Sequence, residues 1–489
     1  MKDYKRVIAL LSVATMLTAC SETTVETEEK TLVPVEDTVA VETAEETEDP
    51  HPFTANLPEV NYNGYVFNIM GEIQSDHYDA EELTGEGIND AVYQRNLSVE
   101  EKYNIDLQYH LVMWSTGDEE ISTSVKASDN AYDLATATHQ YQGANLTSGN
   151  FRNWNEIPGV DLTSPYYLKY ANDAFSIGEK TMLMFGDFMD SNINCAWVML
   201  FNHELIEQYE ITGLYDTVDA GEWTVDYFMS LVENIYQDTN GDGQRDADDF
   251  YGFYTDKQAA VDSFSRSFHL SAISKDERNY PYLNFYNEST VDAYNMLYKM
   301  YYGTEGIYAI EGAFTQLEDS FVKNLSVFSN CLIRSLNTVM REMEVDYGVL
   351  PTFKYYETDD VYWTHVDGNA SSQMILVSQP EEYLERTGII TEALNAYSRE
   401  VLNSAIYDVV LKTKVARDQD SARMLDYAME GRTFTFDSLD ESGFKLSPKN
   451  ALRFNIRDGV ENITSYYMSF EKSCNTWIDR MIKAYEKAK

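Results

Sequence analysis

Between residues 65 and 113 an apolar run, a helix-period segment and a second apolar run follow one another, and this succession constrains the fold more than any other feature of the chain. "YVFNIMG" (65–71) reads as a buried strand. Ile88, Val92, Val99 and Tyr103 then recur at helical spacing, and "IDLQYHLVM" (105–113) reads as a second strand. A strand–helix–strand crossover joins parallel neighbours, so the expected class is α/β with a parallel sheet. "YDLATAT" (132–138) supplies a third strand.

A second series starts further on. "KTMLMFGDF" (180–188) and "AWVMLFN" (196–202) read as strands, "HELIEQYEI" (203–211) as a helix, and "WTVDYFMSLVENIYQ" (223–237) as a longer helix capped by Thr224. "FYGFYT" is strand-like, "YGVLPTF" (347–353) ends in a proline-marked turn, and "SQMILVS" (372–378) is another strand. Helix dominates from Glu381, with Gly431 as a stop. No internal repeat emerges. A chain of 489 residues, 44% of them hydrophobic, can bury two such units. Trp154 and Trp223 are read as packing residues of these units, and the chain is expected to cross between them more than once.

The first twenty residues, "MKDYKRVIALLSVATMLTAC", place Lys2, Lys5 and Arg6 before an apolar run that begins at Val7. That is the pattern of a secretory signal, too short for a stable membrane span. "LTAC" resembles the lipobox of bacterial lipoproteins, in which the cysteine, here Cys20, is lipid-modified. The expected division is a signal peptide over 1–19 and a lipid-anchored, acidic, disordered linker over 20–57, which is rich in Glu and Thr with little to bury. Cys195, Cys331 and Cys474 are odd in number and widely spaced, so they read as buried thiols. A net charge of −46 excludes nucleic acid as a partner, because binding it needs clustered cations.

"DTNGDGQRDADD" (238–249) sets oxygen-bearing side chains at alternate positions around Gly243. Calcium takes hard oxygens, and here Asp238, Asn240, Asp242, the carbonyl of Gln244, Asp246 and Asp249 form a candidate ligand set. A calcium sensor needs an apolar residue at the eighth position, an exit helix and a paired loop. Arg245, a strand-like exit and the lack of a second copy point instead to a structural Ca2+ staple at the end of one helix.

The order of these pieces, with "YDLATATHQYQGANLTSG", "WVMLFNHELIEQY", "GEWTVDYF", "MREMEVDYGVLPTFK" and "LKTKVARDQDSARMLD", resembles extracellular solute-binding lipoproteins of bacterial carbohydrate ABC importers, of the family 1 type related to maltose-binding protein. The resemblance spans most of residues 60–430. It implies a two-lobed periplasmic-binding-protein-like type II fold with hinge crossings and an interlobe cleft, residues 58–170 and 358–405 forming lobe 1 and residues 171–357 and 406–489 lobe 2. It further implies a monomer on the extracellular face of the cytoplasmic membrane, or in the periplasm, that touches the membrane through its lipid anchor only. The implied partners are a carbohydrate ligand and a membrane permease.

By the same resemblance Gln140, which follows His139 where the relative has a carboxylate, faces the ligand, as do Asn192 and Asn194 ahead of "AWVML". Glu72 and Arg334 occupy loops similar to cleft loops. Sugars need hydrogen-bonding side chains for their hydroxyls and aromatic rings for their C–H faces, which adds Tyr141, Trp363 and Asp367. The expected function is capture of an extracellular sugar, in first place an oligosaccharide, without catalysis. "HELIE" lacks the second histidine of a zinc protease, and no nucleophile elbow, P-loop or dinucleotide fingerprint occurs. The competing expectations are a surface glycan- or peptide-binding sensor without transport, and a secreted glycoside hydrolase.

Overall fold

The computed structural model describes residues 51–73, 76–312, 314–412, 419–439 and 448–488. Cys20, the signal segment and the linker as far as residue 50 lie outside them. Residues 51–57, expected as the end of the disordered linker, are instead docked: Glu400 accepts the backbone N–H groups of Phe53 (3.2 Å) and Thr54 (3.1 Å), and Leu57 is buried. Two backbone donors on one carboxylate, with an apolar side chain under cover, offset the ordering cost of a short segment.

The strands Tyr65–Ile73 and Ile105–Met113 pair in parallel, Tyr65 opposite Ile105, with the helix Gly87–Tyr103 as the crossover between them. Leu134–Thr138 joins the other side in parallel, and Ser371–Met374 adds an antiparallel edge. Phe67, Ile69, Val99, Tyr103, Leu134 and Trp154 are buried together beneath this sheet. Trp154 also donates its indole N–H to the Gln373 carbonyl at 3.0 Å, so it packs as expected and ties the edge strand down.

The second sheet runs in the order Tyr347–Leu350, Trp197–Asn202, Ser326–Leu332, Phe250–Asp256 and Tyr236–Gln237, and Ile307–Ile310 pairs in parallel with Phe250–Asp256. Trp223 is fully buried on one face, and the three thiols Cys195, Cys331 and Cys474 are free and buried. Thr224 caps its helix, accepting the Tyr227 N–H. That helix spans Val225–Val232 and stops short of the expected 237. A Cβ on Gly306 would stand 1.7 Å from the Val232 carbonyl oxygen, so another chain segment occupies the path of a further turn. The chain leaves as an edge strand, Tyr236–Gln237, antiparallel to Phe250–Tyr251.

The expected strand 180–188 is not formed. Its apolar side chains are buried, but side-chain amides replace a ladder: Asn153 takes the Thr181 N–H, Asn172 that of Phe185 and Asn395 that of Phe188. This run leads into the first of three chain crossings. Ala196 bridges Val366, Asp367 N–H donates to the Cys195 carbonyl at 2.8 Å, and Thr364–His365 pairs in parallel with Arg432–Thr433. Gly431 ends the helix Gln419–Glu430, and a Cβ there would stand 1.9 Å from the Tyr362 carbonyl, so glycine lets the crossings touch. Three chain segments thus run side by side, with few bonds each, where the chain passes between the two sheets.

Candidate functional site

In open α/β sheets a ligand sits outside the carboxyl ends of the strands. In the first sheet those ends are Ile73, Met113 and Thr138. Trp114 and Tyr141 follow the two outer ones, and because Tyr65–Ile73 lies between them, their rings meet across the end of the middle strand. The centroids are 6.1 Å apart and stacked at 28°, and Trp114 keeps 38% of its surface exposed. Trp114 was absent from the sequence-based set. Its signal was its position directly after a strand, which becomes meaningful only once strand order is known.

Beside this pair the chain crossings bring polar groups together. Gln140 donates to Asn369 at 2.6 Å, Asn369 donates to Asp367 at 2.6 Å, and Asp367 is tied to Cys195. Asn192 and Asn194 share the short helix Ser191–Asn194 that precedes Cys195. Asn192 donates to the Gly186 and Met189 carbonyls, and Asn194 donates to Asp190 at 2.8 Å. Ile333 N–H reaches the Ala196 carbonyl at 2.9 Å, which sets Arg334 at the same end of the second sheet. Five of the eight nominated residues (Gln140, Asn192, Asn194, Arg334 and Asp367) therefore lie at or beside the crossings, with Glu72 and Tyr141 at the end of the first sheet. Trp363 directly precedes the crossing strand Thr364–His365, and its ring packs under the Arg266 guanidinium at 5.1 Å.

Burial divides their roles. Glu72 is 1% exposed and lies behind the rim; its Oε2 accepts the N–H of Thr138 at 2.9 Å, which holds the strand end that carries Gln140 and Tyr141. Its Oε1 has no partner, and a Cβ on Gly117 would strike it. Burial pushes the Glu72 carboxyl up to about 7, although the Thr138 donors oppose the shift.

A second acidic centre, which the sequence reading missed, lies under the Ser191–Asn194 helix. Asp190 accepts from His77 N–H at 2.9 Å and lies 2.6 Å from the His77 ring, and Asp76 accepts from Ser191 N–H at 2.7 Å. Burial and the Asp190 charge push Asp76 up to about 7; for Asp190 burial is outweighed by His77 and Arg95, which hold it below the usual carboxylate range.

These shifts carry a pH prediction. A carboxyl raised in the folded state binds a proton there that the unfolded chain releases near its ordinary value of about 4, so stability falls as pH rises between about 4 and 7. His77, raised by its bond to Asp190, acts in the same sense; His365, lowered by burial, acts against it. The thermal midpoint is therefore expected to be higher at about pH 5 than at about pH 7.5, and Glu72→Gln should flatten that slope. A midpoint that rises with pH in both proteins would overturn this account.

The acidic loop joins two strands and is not the end of a helix, a correction that follows from the early stop at Val232. Gly241 and Gly243 adopt φ of 74° and 73°, and Asp238 accepts both their N–H groups, at 2.6 and 2.9 Å. Asn240 accepts from Asp242, Asp242 from Gln244 and Asp246 from Asp248, while Asp249 is buried and takes the Thr239 N–H and the Tyr236 hydroxyl. Arg245 turns outward onto the carbonyls of Glu305 and Ile307. Among the described residues no three His, Cys, Asp or Glu side chains are gathered as a metal-holding group. Among the described residues, too, no helix is long and apolar enough to cross a membrane.

The architecture recurs in solved structures. The ABC substrate-binding protein Lmo0181 from Listeria monocytogenes, in complex with cycloalternan, has a TM-score of 0.54 at 11% identity, covering 85% of this chain and 99% of that one. UgpB from Mycobacterium tuberculosis, in complex with glycerophosphocholine, gives 0.55 at 13%, covering 86% and 99%. A cyclo/maltodextrin-binding protein complexed with maltotetraose gives 0.52 at 13%, covering 86% and 96%. The chain thus has the two-lobed fold of ABC substrate-binding proteins. No protein-family model and no curated protein matches it in sequence.

Proposed function

We propose that this chain is the substrate-binding subunit of an ABC importer, which captures an extracellular sugar, in first place an oligosaccharide, and hands it to a membrane permease. The observation that carries this reading is the Trp114–Tyr141 stack across the carboxyl end of the middle strand, beside the Gln140–Asn369–Asp367 chain. An apolar ring face next to fixed donors and acceptors is what the C–H face and the hydroxyl edge of a sugar require. The cycloalternan and maltotetraose of two comparison structures support it, while the third holds glycerophosphocholine, which is not a carbohydrate.

Binding needs no covalent step. Ligand held by one lobe gains contacts when the other rotates onto it about the crossings, and only such a difference in contacts shifts an open–closed equilibrium. Lipid on Cys20 would keep the protein at the membrane, since acyl chains partition at about 0.8 kcal/mol per methylene. The test is a thermal-shift screen of the mature chain against mono- and oligosaccharides, amino acids and short peptides. Concentration-dependent stabilisation by a sugar recovered intact supports capture. Stabilisation by peptides alone sinks the carbohydrate assignment, and shortened sugar products would indicate a hydrolase.

Calcium belongs to the same proposal. The donor types of residues 238–249 suit a hard cation, and the loop is wound around Asp238, although its carboxylates take backbone N–H groups and are not gathered on one point. Asp238, Asn240, Asp242, the Gln244 carbonyl, Asp246 and Asp249 would hold it, and the ion would supply charge neutralisation to a strongly acidic hairpin. Calcium at a hundred times its dissociation constant is expected to stabilise the fold by about 2.7 kcal/mol. A chelator should lower the thermal midpoint of the parent, while Asp238→Ala should make the midpoint indifferent to calcium. Equal midpoints for the parent with calcium and with chelator would remove the ion from the account.

A further inference from the structure

The C-terminal helix Thr464–Lys487 packs against the helix Gly143–Ser148, and the groove between them is charged against the grain of the molecule. It has a volume of about 600 Å³, within the range of small-molecule sites, and its charged lining residues are Arg480, Lys483 and Lys487. Among the described residues no acid lines it, although acids outnumber bases in the chain by 82 to 36. The three bases stand at i, i+3 and i+7, so they share one helix face over about 10 Å of axis. The helix dipole accounts for a cation in the last turn, hence for Lys487, but less for Lys483 a turn earlier.

The groove is also firmly built. Tyr485 donates its hydroxyl to the Phe175 carbonyl at 2.9 Å and Lys180 donates to that of Ala488, which pins the end of the helix. Ser148 and Gly149 close the opposite wall.

We propose that this groove binds the phosphate group of a soluble, phosphorylated small molecule, at a site separate from the crevice. A phosphate carries up to two charges and three acceptor oxygens, which suits two ammonium groups with a serine hydroxyl better than a lone carboxylate does. The net charge of −46 decides between sources of phosphate. At physiological salt the screening length is about 8 Å, so a small ion inside the groove feels mainly the groove cations. An anionic bilayer, too broad to enter, would face the acidic surface around it.

The test is isothermal titration with pyrophosphate in buffer containing EDTA, which removes any contribution of calcium at the acidic loop. Saturable binding with one site is expected, weakened at least tenfold in Lys483→Gln/Lys487→Gln and unchanged in Lys472→Gln on the same helix. Both lysines are exposed, so the double variant should keep the parental melting temperature. Absence of saturable binding, or parental affinity in the double variant, overturns the proposal. So does association with phosphatidylglycerol vesicles that pyrophosphate fails to displace. None of these outcomes depends on which sugar, if any, fills the crevice.

Discussion

Trp223→Ala is expected to destabilise the protein by about 3–5 kcal/mol, a large share of the roughly 5–15 kcal/mol that holds a domain together. Trp223 is fully buried, with Phe228, Phe328 and Phe353 at ring separations of 5.7, 6.4 and 6.3 Å. It therefore joins the helix Val225–Val232, the strand Ser326–Leu332 and the segment after Leu350. The indole N–H also serves the Pro351 carbonyl at 3.0 Å, so truncation leaves a cavity and a buried acceptor without its donor. Urea unfolding measures the effect, and Trp223→Phe, which keeps most of the volume, should recover part of it. A midpoint equal to the parent's in the alanine variant would show that the aromatic cluster repacks at no cost.

If the chain captures a sugar as proposed, the Trp114→Ala/Tyr141→Ala double variant is expected to bind it about 10- to 100-fold more weakly, which corresponds to about 1.4 to 2.8 kcal/mol. Aromatic contacts of this kind contribute about 0.5–1.5 kcal/mol beyond simple area burial, and two rings are lost together. Trp114 is exposed and Tyr141 half-buried, so the melting temperature of the free protein should change little, unlike that of Trp223→Ala. A titration with the best sugar from the screen reads the ratio. Unchanged affinity in a folded double variant would move the sugar site away from this edge of the first sheet.

Much of the first sheet was legible before any coordinates. "YVFNIMG", the helix period of Ile88 to Tyr103 and "IDLQYHLVM" are local patterns whose period follows from the conformation, and all three elements form where expected. The run 180–188 misled because an apolar composition reports burial, and burial without a neighbouring ladder needs amides such as Asn172 and Asn395 that lie far away in sequence. The helix from Trp223 was cut short for a similar reason: Gly306 and Val232 are remote in the chain and adjacent in space.

The site divides along the same line. Residue types suited to a sugar, Gln140, Tyr141, Asn194 and Asp367, could be nominated from the chemistry of the side chains and the order of motifs. That Glu72 serves Thr138 from behind, that Asp190 pairs with His77, and that Trp114 meets Tyr141 follows from strand order and from the three crossings, which are long-range contacts. Period, charge and turn chemistry are properties of neighbours along the chain, so the sequence alone determined the α/β class, the acidic character and the elements of the first sheet. Which side chains face one another depends on contacts between distant segments, and for this protein only the tertiary structure decided that.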